Sequence, residues 1–172
     1  LLFALLLELD SKNALLESHG DLEKAKILLN EKGQSKADSK SGRTTAQGLV
    51  WIETQQKFNL NHAVILEVNC ETDFAAKDKF FKEFVGKIAK LILEEGTNEM
   101  DQLNLKSIDD FESIEEYRKF AISKLGENIT IRRFERFPVT GMLGSYVHGL
   151  KIPALVLLDS IDPSDSDLAK DL

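Results

Sequence analysis

The run AVILEVNCETDFAAKDKFFKEFVGKIAKLILEEG, residues 63–96, changes its hydrophobic period partway along. Ala63-Val64-Ile65-Leu66-Glu67-Val68 is rich in β-branched residues and reads as a strand. Asn69-Cys70-Glu71-Thr72-Asp73-Phe74 is a polar stop with a phenylalanine at its end. Beyond it Phe81, Phe84, Val85, Ile88, Leu91 and Ile92 form one stripe, and Lys82, Glu83, Lys87 and Lys90 lie largely on the other face. That pattern predicts a long amphipathic helix, stopped by Gly96. Phe74 falls between the two regimes. A helix starting at Asp73 puts Phe74 on the same buried face as Phe81, whereas one starting after Asp78 leaves it free to project. Spacing alone favours burial.

Working outward, Leu49-Val50-Trp51-Ile52 reads as a partner strand, separated from the first by a polar turn around Asn59–Asn61. Residues 34–48, QSKADSKSGRTTAQG, have no apolar periodicity and read as a solvated tether. Residues 10–33 read as two short helices. Asp10-Ser11 caps the first and Gly20 stops it; Asp21 caps the second, with Ala25, Leu28 and Leu29 on one face and Gly33 as its stop. Such a pair buries too little surface to stand alone, and needs either a third helix from residues 1–9 or a docking surface. The opening Leu1-Leu2-Phe3-Ala4-Leu5-Leu6-Leu7 lacks the preceding positive charges and the cleavage site of a signal peptide, and reads as buried helix.

Downstream, Ser113-Ile114-Glu115-Glu116 matches a capping box that opens a helix ending at Gly126, with Ile114, Tyr117, Ala121 and Leu125 buried. Strand character returns at Asn128, and Arg132-Arg133 breaks the alternation, which predicts a bulge or a strand end. Gly141–Gly149 and Pro153–Leu158 read as two more strands; Ala154-Leu155-Val156-Leu157-Leu158 is continuously apolar and predicts a central strand. Residues from Asp165 onward read as the first turns of a further helix. The fold class is α+β: a small helical module, a tether, then an antiparallel sheet with helices packed on one side.

The chain has 172 residues, with 22 Lys+Arg against 29 Asp+Glu and a net charge of −7. The balance is that of a soluble globular protein. No run approaches the ~20 apolar residues that span a bilayer, so no membrane partner is expected. An acidic chain is poorly suited to phosphate backbones, and the helix after Asp21 mixes Glu23 and Glu31 with Lys24 and Lys26, so no DNA partner is expected either. One cysteine and three histidines (His19, His62, His148) leave little for a metal centre.

Catalytic groups are equally sparse. Cys70 and His148 form a thiol–base pair only if the fold joins them, and the carboxylates of Glu71 and Asp73 raise a thiol pKa. Glu71 and Asp73 as an acid–base pair read more simply as solvated turn residues. No glycine-rich phosphate loop is present, so no direct nucleotide binding, no cofactor and no enzymatic activity are expected. What remains is a protein-binding chain.

Three segments carry a resemblance. Glu67–Phe74, Leu125–Arg133 (LGENITIRR) and Gly144–Gly149 (GSYVHG) follow in the order of the signature segments of translation elongation factor Ts, the guanine-nucleotide exchange factor for elongation factor Tu. Residues 10–33 resemble that family's ubiquitin-associated-like N-terminal module. The resemblance implies a module at 1–33 with an atypical first helix, a linker at 34–48, the first half of a core at 49–137, and the start of a second half at 138–172 that continues beyond this chain. It implies that Thr72, Asp73, Phe74 and Ala75 form a wedge whose phenylalanine enters the partner's GTPase domain, and that His148 is a second contact. For Phe74 it reverses the preference set by spacing. For His148 the alternative is a ring hydrogen-bonded within its own hairpin. Segments 68–74 and 146–149 resemble mitochondrial members, which implies the mitochondrial matrix; the cytoplasm is the expectation otherwise. A passive ubiquitin-associated-like adaptor without exchange activity is the competing expectation.

Overall fold

The computed structural model describes residues 2–57, 60–139 and 142–158. Two helices, α1 (Leu2–Glu17) and α2 (Leu22–Asp38), lead into strands β1 (Gln47–Lys57) and β2 (Leu60–Cys70). Four helices follow: α3 (Asp73–Lys77), α4 (Lys79–Glu95), α5 (Met100–Asn104) and α6 (Ile114–Leu125). Strands β3 (Ile129–Val139), β4 (Met142–His148) and β5 (Ile152–Leu158) complete the described chain. The class is α+β, as the change of period predicts.

Strands β1, β2 and β3 form an antiparallel sheet with β2 in the middle. Helix α4 lies across it and buries Phe81, Phe84, Val85, Ile88 and Ile92 against Val64, Leu66 and Val68, as its stripe requires. Two glycines permit the close contacts. Gly86 turns its bare face to the Trp51 ring, 3.1 Å from where a Cβ would sit. Gly48 adopts φ +143°, and a Cβ there would fall 2.2 Å from the Val68 carbonyl oxygen. Helix α6 closes the core with Ile114, Tyr117, Ala121 and Ile122; the Tyr117 and Phe84 rings lie 4.8 Å apart. Both long core helices stop on a left-handed glycine, Gly96 and Gly126.

The bulge predicted at Arg132-Arg133 is present. Glu67 pairs with Arg133 and Val68 with Ile131, so Arg132 is the extra residue, and Glu67 meets both guanidinium groups (3.6 Å to Arg132, 2.7 Å to Arg133).

The N-terminal expectations need correction. Asp10 does not cap a helix: α1 begins at Leu2, because the strong helix formers before Asp10 contain no breaker. Asp10 instead pairs with Lys36 of α2 at 2.7 Å. Residues 2–9 are thus the first turns of α1, not a third helix. Gly33 does not stop α2, which runs on to Asp38; an interior glycine costs only about 1 kcal/mol. The gain is tertiary: α2 crosses α6 beside Ser123, Ala37 joins the core, and Asn30 donates to Glu116 at 3.0 Å. That bond also leaves the capping box half made. Ser113 Oγ accepts from the Glu116 N–H at 3.1 Å, while the Glu116 carboxylate takes Glu112 and Asn30.

The tether reading fails for the same reason. Residues 34–38 are helical, and the stretch after them is fastened down: Lys40 Nζ donates to the Gly126 carbonyl at 2.6 Å, and Asn128 Nδ2 to the carbonyls of Ser41 (3.2 Å) and Arg43 (2.8 Å). The strands flanking the first turn are longer than expected, with Asn61 paired to Gln56 and Leu60 to Lys57, so the expected turn around Asn59–Asn61 is taken up by β2 except at Asn59, which lies outside the described residues.

β5 is not central. Among the described residues it pairs only with β4, in a separate two-stranded sheet, and Ala154 is exposed. The hairpin stands beside the larger sheet, held to β1 by its loop and by the neighbouring part of β5. The helix expected from Asp165 lies outside the described residues.

Candidate functional site: a capped corner and its neighbouring hairpin

The last rung between β2 and β3 joins Cys70 to Ile129. Past it the ladder continues through side chains. The Thr72 N–H donates to Glu127 Oε2 at 3.0 Å and the Thr72 hydroxyl to Glu127 Oε1 at 2.6 Å. In return the Asn128 N–H donates to Glu71 Oε1 at 2.6 Å. Each of the two dipeptides, 71–72 and 127–128, offers a carboxylate and a main-chain N–H to the other. Arg43 approaches the Glu71 carboxylate at 3.6 Å from outside.

This clasp sets the start of α3. Thr72 is extended (φ −122°, ψ 158°), and its hydroxyl oxygen accepts the Ala75 N–H at 3.2 Å. Its proton is committed to Glu127, so the capping rotamer is fixed from both sides. The helix lasts five residues. Asp78 leaves the helical region (φ −60°, ψ 139°) and caps α4, its Oδ1 accepting from Phe80 (2.8 Å) and Phe81 (3.3 Å). Two caps six positions apart break what spacing reads as one helix.

Phe74 is therefore off the α4 stripe, and its residue is 81% exposed. Beneath it Ala75 and Ala76 are buried against the core. Asp73 is exposed and pairs with Lys77 at 2.8 Å; that hydrogen bond holds its carboxyl below the usual range. Of the wedge residues expected from sequence, Asp73 and Phe74 face outward and Thr72 is half-buried. Ala75, the fourth of them, is buried and belongs to the hydrophobic core.

The second expected position comes close through the β4–β5 loop. Gly149 takes φ +64° in the turn, the Val50 N–H donates to the Leu150 carbonyl at 2.8 Å, and Lys151 reaches Gln47. The loop is thereby fixed beside β1, and His148 lines the same groove as Thr72, Phe74 and Lys77. The groove has a volume of about 830 Å³ and continues to Ile152. The His148 ring is exposed, with Nδ1 3.1 Å from the Tyr146 hydroxyl, so the hairpin hydrogen bond and an outward-facing position coexist. Ile152 in the groove and Tyr146 beside His148 are both more than half exposed.

Cys70 lies inside. Its Sγ donates to the Thr72 carbonyl at 3.2 Å, and burial first, with the Glu127 charge next, pushes the thiol up to about 12. A neutral buried thiol is no nucleophile, so the cysteine–histidine reading fails. Glu71 is spent on the clasp and Asp73 on Lys77, so they do not act as a pair. Among the described residues no cluster of three or more His, Cys, Asp or Glu can hold a metal ion, and no helix is long and apolar enough to cross a membrane.

Sequence reasoning missed Glu127 and Asn128 as structural partners of Glu71 and Thr72. A usable signal existed: two polar residues between a helix-stopping glycine and a strand, opposite a strand ending in Cys70-Glu71-Thr72. Register alone connects them.

The family model described as Elongation factor TS matches residues 71–172, the stretch that opens with this corner. Among curated relatives, Elongation factor Ts of Clostridium perfringens strain SM101 is 37% identical over 168 residues, covering 95% of this chain and 55% of that protein. Elongation factor Ts of Hydrogenovibrio crunogenus is 40% identical over 154 residues, with 90% and 52% covered. That of Thioalkalivibrio sulfidiphilus is 39% identical over 166 residues, with 95% and 55% covered. The chain spans about half the length of the curated relatives it matches. With the family model covering more than half of its residues, the chain belongs to the elongation factor Ts family.

Proposed function

We propose that this chain carries the wedge of a guanine-nucleotide exchange factor that acts on elongation factor Tu and promotes GDP release during translation elongation. The observation that supports it most is Phe74: a large apolar side chain held out in solvent on a helix too short and too firmly capped to relax. A lone aromatic costs little where it stands and becomes a hot spot when a partner's pocket desolvates it. His148 and Ile152 line the same groove.

The mechanism needs no bond-making group. An exchange factor binds its nucleotide-free partner more tightly than the nucleotide-bound one, and by linkage it weakens nucleotide binding by the same ratio. The resemblance assigns the phenylalanine to the space between helices near the partner's magnesium and phosphate site. Metal that stabilises the nucleotide-bound state then opposes exchange. The test is release of labelled GDP from elongation factor Tu with the longest gene product containing this chain. Acceleration that fades at high magnesium is expected; unchanged release at saturating concentration overturns the proposal.

The adaptor reading draws on one observation, the exposure of Leu16, Leu22 and Ile27 on the N-terminal helices. It predicts that Leu22→Ser with Ile27→Ser abolishes partner binding while Phe74→Ala leaves it intact. The exchange reading predicts the reverse ranking. The ubiquitin-associated-like character of α1 and α2 belongs to the proposal as well. A mitochondrial location rests on segments 68–74 and 146–149, and the relatives named above are bacterial; fractionation of cells expressing the tagged gene product tests it.

A further inference from the structure

The clasp at residues 71–72 and 127–128 has more bonds than a chain turn needs. A helix of five residues gains almost nothing from its own hydrogen bonds, since nucleation costs more than one turn returns. Its orientation comes from the packing of Ala75 and Ala76 in the core and from what holds its ends. At the N-terminal end that is one side chain, Glu127, which takes both the main-chain N–H and the hydroxyl of Thr72. Both carboxylate oxygens are used, on two donors of one residue, two positions before Phe74. Glu127 itself is fixed by its place between the Gly126 helix stop and the Ile129 rung of β3. It touches neither the outer groove surface nor Phe74.

We infer that Glu127 is a positioning residue for exchange: through Thr72 it fixes the first turn of α3, and so the direction in which Phe74 is presented to the partner. The inference rests on the exchange reading above and deepens it. The Glu71–Asn128 half of the clasp holds the two dipeptides together, and Asn128 ties them to Ser41 and Arg43. Only the Glu127–Thr72 half reaches the helix cap. A half-buried Glu127 with a purely structural role lowers the amount of folded protein; a positioning role lowers exchange per folded molecule, and does so only while Phe74 is there to be aimed.

The experiment is a double-mutant cycle on GDP release from elongation factor Tu, using the longest gene product that contains this chain, with rates normalised to folded protein. Glu127→Ala and Phe74→Ala each slow release by roughly tenfold, as loss of a hot spot does. The double variant is no slower than Phe74→Ala alone, within about twofold. Glu127→Gln recovers part of the rate, because its amide oxygen still accepts the Thr72 N–H. If Glu127→Ala does not fold, Thr72→Val removes the hydroxyl bond to Glu127 together with the cap that it fixes, keeps the main-chain bond, and is expected to give the same non-additivity with Phe74→Ala. Multiplying effects, or a Glu127→Ala rate within twofold of the parent, overturn the inference while leaving the wedge standing. A Phe74→Ala variant with the parent's rate overturns the exchange reading itself, which keeps the two failures apart.

Discussion

Phe74 and Phe81 stand seven residues apart, two helical turns, yet Phe74 is 81% exposed and Phe81 is completely buried. The break at Asp78 separates them. Were residues 73–95 one helix, both rings would share its buried face; with α3 and α4 capped independently, only Phe81 reaches the core.

Residue type then says nothing about role, and truncation separates the two environments. Phe84→Ala empties a site walled by Phe81 and Tyr117 and should cost ~3 kcal/mol or more through cavity formation. Phe74→Ala, made in solvent, should change stability by no more than about 0.5 kcal/mol. Chemical denaturation of both variants checks the contrast, and equal losses would contradict the exposed placement of Phe74.

Asp78 carries the break with two main-chain N–H groups on one oxygen. Asp78→Ala should lower stability by about 1 kcal/mol, the ordinary worth of an N-cap, and Asp78→Asn should restore most of it. Thermal melts of the two variants suffice. A neutral Asp78→Ala would mean that packing alone starts α4.

At Gly48 an added methyl meets the Val68 carbonyl and a backbone angle that only glycine adopts easily. Gly48→Ala should destabilise by about 2 kcal/mol or more. Because β1 also anchors the β4–β5 loop through Val50 and Gln47, amide exchange at Val50 should accelerate in the same variant. Unchanged protection there would detach the loop from the strand.

Cys70 gives a pH dependence with a definite sign. Its thiol is pushed from an ordinary 9.0 up to about 12. The unfolded chain loses that proton first, so between these values it binds fewer protons than the folded chain and stability falls as pH rises. Below 9 the contribution is fully present. At pH 8 the native thiol should react with an aromatic disulfide at least about tenfold more slowly than the denatured one. Rapid native labelling would mean that the site opens.

The parts of this structure legible in the sequence are those governed by local period. The α4 stripe, the Gly96 and Gly126 stops and the Arg132 bulge all follow from alternation or its failure within a short window. The parts that were not legible depend on what lies across the fold. Gly33 reads as a stop until α6 is known to pass beside it, residues 34–48 read as a tether until Asn128 and Lys40 are known to bind part of them, and β5 reads as central until it is seen to pair, among the described residues, with β4 alone. The site divides the same way. Phe74 was visible as an ambiguity of spacing that the resemblance tipped, whereas the Glu127–Thr72 bond needs the register of β2 with β3.

The most direct measurement of the central claim is the rate of fluorescent GDP release from elongation factor Tu, comparing the parent protein with Phe74→Ala at equal folded concentration. The wedge account predicts release slowed by roughly tenfold or more in a variant whose denaturation midpoint is unchanged. A Phe74→Ala protein that melts early yet exchanges normally per folded molecule would contradict it and return Phe74 to the core.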